Sequence, residues 1–196
     1  GGGASDLLDE LVESGFVLRT APFGSNRKDA LYRLSDEYSL FYLNWVEDCH
    51  STGKDIWLTK QSSPAWKAWS GYVFENVCLK HVQRIKRALG IEAVDTSEAS
   101  WSYSPADRSE SGAQIDLLID RRDGCINLCE MKFGETEFVI DKRYAAELRN
   151  KRETFRRATG TRNTLFLTMI TTYGVKKNEY SDELIANSIV MDTLFS

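Results

Sequence analysis

An α/β domain built on a mixed central sheet, preceded by a short helix-and-hairpin segment, is the fold class this sequence predicts. Three observations carry it: helical periodicity from Pro64 to Gly90, strand-forming runs from Ile91 to Lys132, and a basic helical stretch leading into an apolar strand between Asp141 and Thr171. With 196 residues, 42% of them hydrophobic, the chain has material for one ordinary domain plus a smaller one.

In chain order, Ser5 can cap a helix to about Ser14, since Leu7, Leu8, Leu11 and Val12 recur at helical spacing and Gly15 stops it. Phe16–Thr20 and Ala30–Leu34 read as strands around the turn-prone Gly24-Ser25-Asn26. A helix followed by a hairpin matches the last helix and wing of a winged helix-turn-helix, with Arg27 and Lys28 at the tip where phosphate contact is geometrically easy. Asp36 to about Asp48, with Leu40, Phe41, Leu43 and Trp45, predicts an apolar helix buried against a neighbour. The polar stretch 49–63, containing Gly53, marks a boundary between a partial winged helix in residues 1–50 and a second domain in 51–196.

Ser63 followed by Pro64 starts the long helix, a capping hydroxyl with proline at the first helical position. Trp66 and Trp69 continue its stripe with Val73 and Val77 and read as core anchors. Strands are then expected at Ile91–Thr96, Ser100–Ser104, Gln114–Asp120 and Cys125–Lys132, a helix at Asp141–Ala158, and strands at Asn163–Thr171 and Ile189–Met191. There is no internal repeat.

Composition excludes several classes. A net charge of -4 is not the footprint of a dedicated nucleic-acid binder, so any such contact is local. Cys49, Cys78, Cys125 and Cys129 lack CxxC pairing, and His50 and His81 lack ligand-spaced partners, which argues against zinc. No apolar run approaches the roughly 18 residues of a membrane span, and no signal peptide opens the chain, so it reads as cytosolic with reduced thiols. The glycine-led start without Met suggests a fragment.

The chemistry-bearing pattern lies in two neighbouring strands. Side chains alternate along a strand, so Gln114, Asp116 and Leu118 share one face, and Leu128, Glu130 and Lys132 share one face of the next. Arg122-Asp123-Gly124 reads as a three-residue hairpin loop, and pairing Arg121 with Cys125 sets Asp116 opposite Glu130. Two carboxylates facing across a ladder repel and need a cation, either a divalent metal or Lys132. Glu75 precedes Cys78, Val82, Ile85 and Leu89 on an apolar helical stripe, a costly position unless it joins the same site. Such a set suits phosphodiester hydrolysis by water activated on Mg²⁺ or Mn²⁺, with Lys132 orienting the water. The bland reading is a salt-bridged trio on a solvated sheet face.

An acid on one strand, Glu-x-Lys on the next and a preceding helical Glu resemble the core of the PD-(D/E)XK nucleases, with Ile115 in place of the nominal proline. The resemblance implies a restriction-endonuclease-like domain in which Asp116, Glu130, Glu75 and the Met131 carbonyl hold the metal and Lys132 is catalytic. A broader resemblance joins Leu31–Tyr42, Gly71–Glu75, Ile115–Asp120 and Glu130–Phe133. In that order they are similar to the C-terminal region of archaeal-type AAA-class ATPases, where a winged helix and a nuclease-like domain follow the ATP-binding module. That module is missing, since no G-x-x-x-x-G-K-[ST] loop occurs, and no ATP site belongs to these residues.

Two function classes follow: a metal-dependent DNA endonuclease-like domain, or a non-cleaving module that binds DNA or protein under ATPase control. Lys142, Arg143, Arg149, Lys151, Arg152, Arg156 and Arg157 lie on one helix beside Asp141, Glu147 and Glu153. They form either a solvated face or, for Lys142, Arg149 and Lys151 together with Arg27 and Lys28, contacts to nucleic acid.

Overall fold

The computed structural model describes residues 2–24, 29–49, 56–61, 63–105, 107 and 112–196. The N-terminal segment is a helix α1 (Gly2–Glu13) and an antiparallel hairpin of β1 (Val17–Thr20) and β2 (Leu31–Leu34). Gly15 adopts a left-handed φ of 80°, turning the chain from α1 into β1. The expected hairpin-tip residues Arg27 and Lys28, and the boundary residue Gly53, lie outside the described residues.

The helix expected over 36–48 is shorter and less buried than its composition suggests. It is α2 (Glu37–Phe41), capped by Asp36 accepting from the Ser39 amide at 2.7 Å, then a π-helical turn over Tyr42–Val46. Only Leu40 is buried, while Tyr38, Tyr42, Leu43 and Val46 face solvent. A short α3 (Ile56–Lys60), unforeseen in the polar 49–63 stretch, follows. Its Trp57 meets Phe41, Trp45 and Trp66 at ring separations of 4.9, 5.9 and 4.9 Å. Trp66 and Trp69 join this aromatic group rather than the core of the sheet.

The long helix breaks at His81 into α4 (Pro64–Lys80) and α5 (Val82–Ala88). Ser63 caps α4 by accepting from the Trp66 amide at 3.1 Å. Gly90, at φ 69°, ends α5, and residues 91–95 form turns instead of the expected first strand. The two strands expected over 91–104 are one, β3 (Thr96–Tyr103). It pairs antiparallel with β4 (Ala113–Arg121), which pairs antiparallel with β5 (Cys125–Lys132). The crossover helix α6 (Lys142–Thr159) leads to β6 (Thr164–Thr171), parallel to β5. A helix α7 (Glu179–Leu184), not foreseen, precedes β7 (Ile185–Val190), longer than expected and parallel to β6. The result is a five-stranded mixed sheet in the order β3-β4-β5-β6-β7.

Alternation along the strands feeds two cores. Leu118, Leu128 and Met169 pack with Leu148 and Phe155 of α6, whereas Leu117, Cys129 and Ile170 pack with Phe74 and Cys78 of α4 and Ile85 of α5. Helices therefore cover both faces of the sheet. No helix among the described residues is long and apolar enough to cross a membrane.

Candidate functional site

The hairpin register expected from Arg122-Asp123-Gly124 is the one observed: Gly124 takes φ 80° and Arg121 pairs with Cys125, down to Leu117 with Cys129. Beyond that rung Asp116 leaves the ladder's side-chain pattern, and its Oδ2 accepts the Met131 amide at 3.0 Å. The expected shared face of Gln114, Asp116 and Leu118 does not hold. Ile115 and Leu118 both enter the core under α6, a change of phase that comes from a bulge in β4, where Asp116 and Leu117 stand against the single residue Ser100 of β3.

As a result the acids take different surroundings, although the Asp116 charge still acts on Glu130. Asp116 and Glu75 line a cleft of 840 Å³ between the β1–β2 hairpin, α4 and the β3–β4 face, together with Arg33, Tyr72 and Gln114. Glu130 does not border that cleft; it is buried, its residue 1% exposed, beneath α6. There its Oε2 accepts Lys151 Nζ at 2.7 Å and the Tyr144 hydroxyl at 3.4 Å, with Lys132 Nζ at 3.6 Å.

Each acid already has a partner from the protein. Glu75 Oε2 accepts Arg33 Nη2 at 2.7 Å. The same guanidinium nitrogen donates to the Tyr72 carbonyl at 3.2 Å and its carbon lies 4.0 Å from the Tyr72 ring centroid. The Tyr72 hydroxyl and Asn76 Nδ2 donate to the Leu34 carbonyl at 3.2 and 2.9 Å, so β2 is clamped along α4.

Among the described residues no group of three or more His, Cys, Asp or Glu side chains gathers to hold a metal ion. This overturns the expected Mg²⁺ or Mn²⁺ site on Asp116, Glu130, Glu75 and the Met131 carbonyl. The physical reason lies in the partners just described: carboxylates that repel need cations, and Lys151, Lys132 and Arg33 supply them from within the chain.

The electrostatics of the pair under α6 are asymmetric. Burial, then the charge of Asp116, pushes the Glu130 carboxyl above the usual carboxylate range, with Lys151 opposing. Burial alone depresses Lys151, yet the Glu130 carboxylate prevails and holds its ammonium above the usual lysine range. Burial and the Glu130 charge also raise the Tyr144 phenol. Glu130 Oε1 is buried without a hydrogen-bond partner, so a donor placed there would relieve a desolvated acceptor.

Lys151 was expected at most as a phosphate contact, and its role beside Glu130 was missed. The signal was present, because Tyr144, Leu148, Lys151 and Phe155 form one helical stripe, and an ammonium on an apolar stripe needs a buried acid as much as Glu75 needed a base. Arg33 had no such signal, since its partner lies 42 residues away on another element. Of the remaining basic positions, Arg149 pairs with Glu183 at 2.6 Å, Arg152 with Glu153 at 3.4 Å, and Lys142, Arg143 and Arg156 are exposed.

No protein-family model, no curated protein and no solved structure matches this chain.

Proposed function

We propose that this chain is a non-cleaving, nuclease-like module that binds nucleic acid in the cytoplasm, in the C-terminal region of an archaeal-type AAA-class ATPase. The four ordered sequence blocks support the ATPase context, and the acid-plus-Glu-x-Lys strands support the PD-(D/E)XK likeness. The observation that carries the non-cleaving reading is the Lys151 ammonium, 2.7 Å from the buried Glu130 carboxylate. A fixed ammonium neutralises the acid but neither polarises a phosphate with open coordination positions nor lowers the pKa of a bound water.

Binding is supported by α6, where Lys142, Arg149 and Arg156 recur every seven residues along one stripe. Successive members are about 10.5 Å apart along the axis, a row able to track a phosphate backbone. Fluorescence anisotropy with a labelled duplex in EDTA tests this. Binding should weaken as salt rises, persist without divalent ions, and lose about one unit of salt slope for each stripe residue that contacts phosphate and is changed to Gln. Cleavage of the duplex in Mg²⁺, lost in Asp116→Ala, would overturn the reading in favour of an enzyme.

A protein-binding role is the second reading. It is favoured by the exposure of Tyr38, Leu43, Val46 and Leu58 around the aromatic group of α2, α3 and α4. Absence of nucleic-acid binding under all conditions would select it.

A further inference from the structure

The exposed apolar side chains of residues 63–196 are not scattered. Among the described residues the large ones are Phe133, Val139, Tyr173 and Phe195, and the first three fall in the two loops that leave the carboxyl ends of the parallel strands β5 and β6. In open α/β sheets that end is where ligands are held.

These loops are tied to each other. The Gly134 amide donates to Thr172 Oγ1 at 3.0 Å, Phe138 to the Gly174 carbonyl at 2.8 Å, Lys176 to the Phe138 carbonyl at 2.9 Å, and Asn178 Nδ2 to the Ile140 carbonyl at 2.8 Å. Phe133 and Tyr173 flank the first of these bonds, and Phe133 leans on Phe74 with ring centroids 6.1 Å apart. Even so, the two residues stay 40% and 57% exposed. Rings held in water by a hydrogen-bonded frame are preorganised for a partner with a flat apolar face.

The charges beside them narrow the partner. Lys176 and Lys177 stand in the second loop, Lys142 and Arg143 begin α6 at the same end, and all four are exposed and outside the ion pairs of the described residues. Glu135 and Glu137 share the first loop, so the patch is not a uniformly positive field that would hold any polyanion. Duplex bases are stacked on one another and cannot use Phe133 or Tyr173, whereas unpaired bases can, with their phosphates reaching the neighbouring cations.

We infer that the carboxyl end of β5 and β6 binds an unpaired stretch of nucleic acid, its bases stacking on Phe133 and Tyr173 and its phosphates meeting Lys176 and Lys177. This rests on the nucleic-acid reading above and adds a preference for single strands at a second surface, which adjoins the α6 stripe at Lys142.

The test is anisotropy with a labelled oligothymidylate and with a duplex of equal length, in EDTA, on wild type, Phe133→Ala, Tyr173→Ala and Lys176→Gln/Lys177→Gln. Each ring variant should weaken single-strand binding about tenfold, the scale of one lost stack, and leave duplex binding unchanged. The lysine pair should flatten the salt dependence of single-strand binding. Tyr173→Ala removes a ring with no packed aromatic neighbour among the described residues and so keeps the test open should Phe133→Ala disturb Phe74. Wild-type single-strand affinity in Tyr173→Ala and in the lysine pair, with duplex binding intact, would overturn this inference alone. No binding of either oligonucleotide by wild type would overturn the proposed function with it.

Discussion

Residues 2–61 and residues 63–196 use their apolar side chains in opposite ways. Among the described apolar side chains of the first region only Val17 and Leu40 are buried, while Leu7, Phe16, Leu31, Tyr32, Tyr38, Tyr42, Leu43, Val46 and Leu58 are exposed. In the second, strands and helices enclose two cores in which Leu118, Leu128, Cys129, Leu148 and Phe155 are wholly buried. Ring contacts do not change this, since Trp45 and Trp57 of the first region touch Trp66 and Trp69 of the second without any of the four being buried. Aromatic contact gives a local cluster; removal of area from water is what makes a core. The first region is held to the second by the polar clamp of Arg33 and Leu34 on α4, by Phe23 packed on Phe155 with its amide donating to the Ser100 carbonyl, and by the ring contacts of Phe41, Trp45 and Trp57 with Trp66 and Trp69.

The comparison can be broken most severely at Lys151. Lys151→Met leaves the Glu130 carboxylate buried without its closest cation and is expected to cost about 3–5 kcal/mol in urea unfolding, with Glu130→Gln added to it restoring much of the loss. If Lys151→Met is neutral, the ion pair beneath α6 is not holding that face.

Next in size, Leu128→Ala in the α6-side core is expected to cost about 2–5 kcal/mol by the same measurement. Arg33→Ala, losing a half-exposed ion pair and its stacking on Tyr72, should cost about 1 kcal/mol. Its signature is regional: hydrogen exchange should rise at β1 and β2 amides and stay unchanged in β4–β6. Equal acceleration in both regions would erase the division drawn above. Leu43→Ala, on the exposed face of the π-helical turn, should stay within about 0.5 kcal/mol.

The pair under α6 also sets two pH windows of opposite origin. A carboxyl whose folded pKa is raised burdens the folded state once it ionises, so Glu130 makes stability fall as pH climbs from the ordinary carboxylate range through its elevated folded value. An ammonium whose folded pKa is raised stabilises below the ordinary lysine range, and that contribution disappears as pH rises through the folded value. In Lys151→Met the alkaline window should vanish and the acidic one deepen, which a pH series of urea midpoints reads directly.

Local grammar was legible in the amino acids. Ser63-Pro64 started α4, Arg122-Asp123-Gly124 produced the β4–β5 register, and Asp141 capped α6 by accepting the Tyr144 amide at 2.7 Å. Each of these depends on residues within a few positions, where backbone preference and hydrogen-bond reach decide the outcome, although the Asp141 cap was not read from the sequence, which showed only a helix starting there. The single strand at 96–103, the break at His81 and the added helix α7 were not legible, because pairing partners and packing override short propensity signals.

The same distinction governs the candidate site. Sequence alone determined that Asp116, Glu130 and Lys132 would sit at the end of one hairpin, since turn length and strand period settle that arithmetic. Only the tertiary structure decided that a bulge in β4 turns Asp116 toward the α4 cleft, that Lys151 from α6 neutralises Glu130, and that Arg33 from β2 answers Glu75. Charge compensation acts through space over a few ångströms, and residues 21 and 42 positions apart come within that range only once the layers have packed.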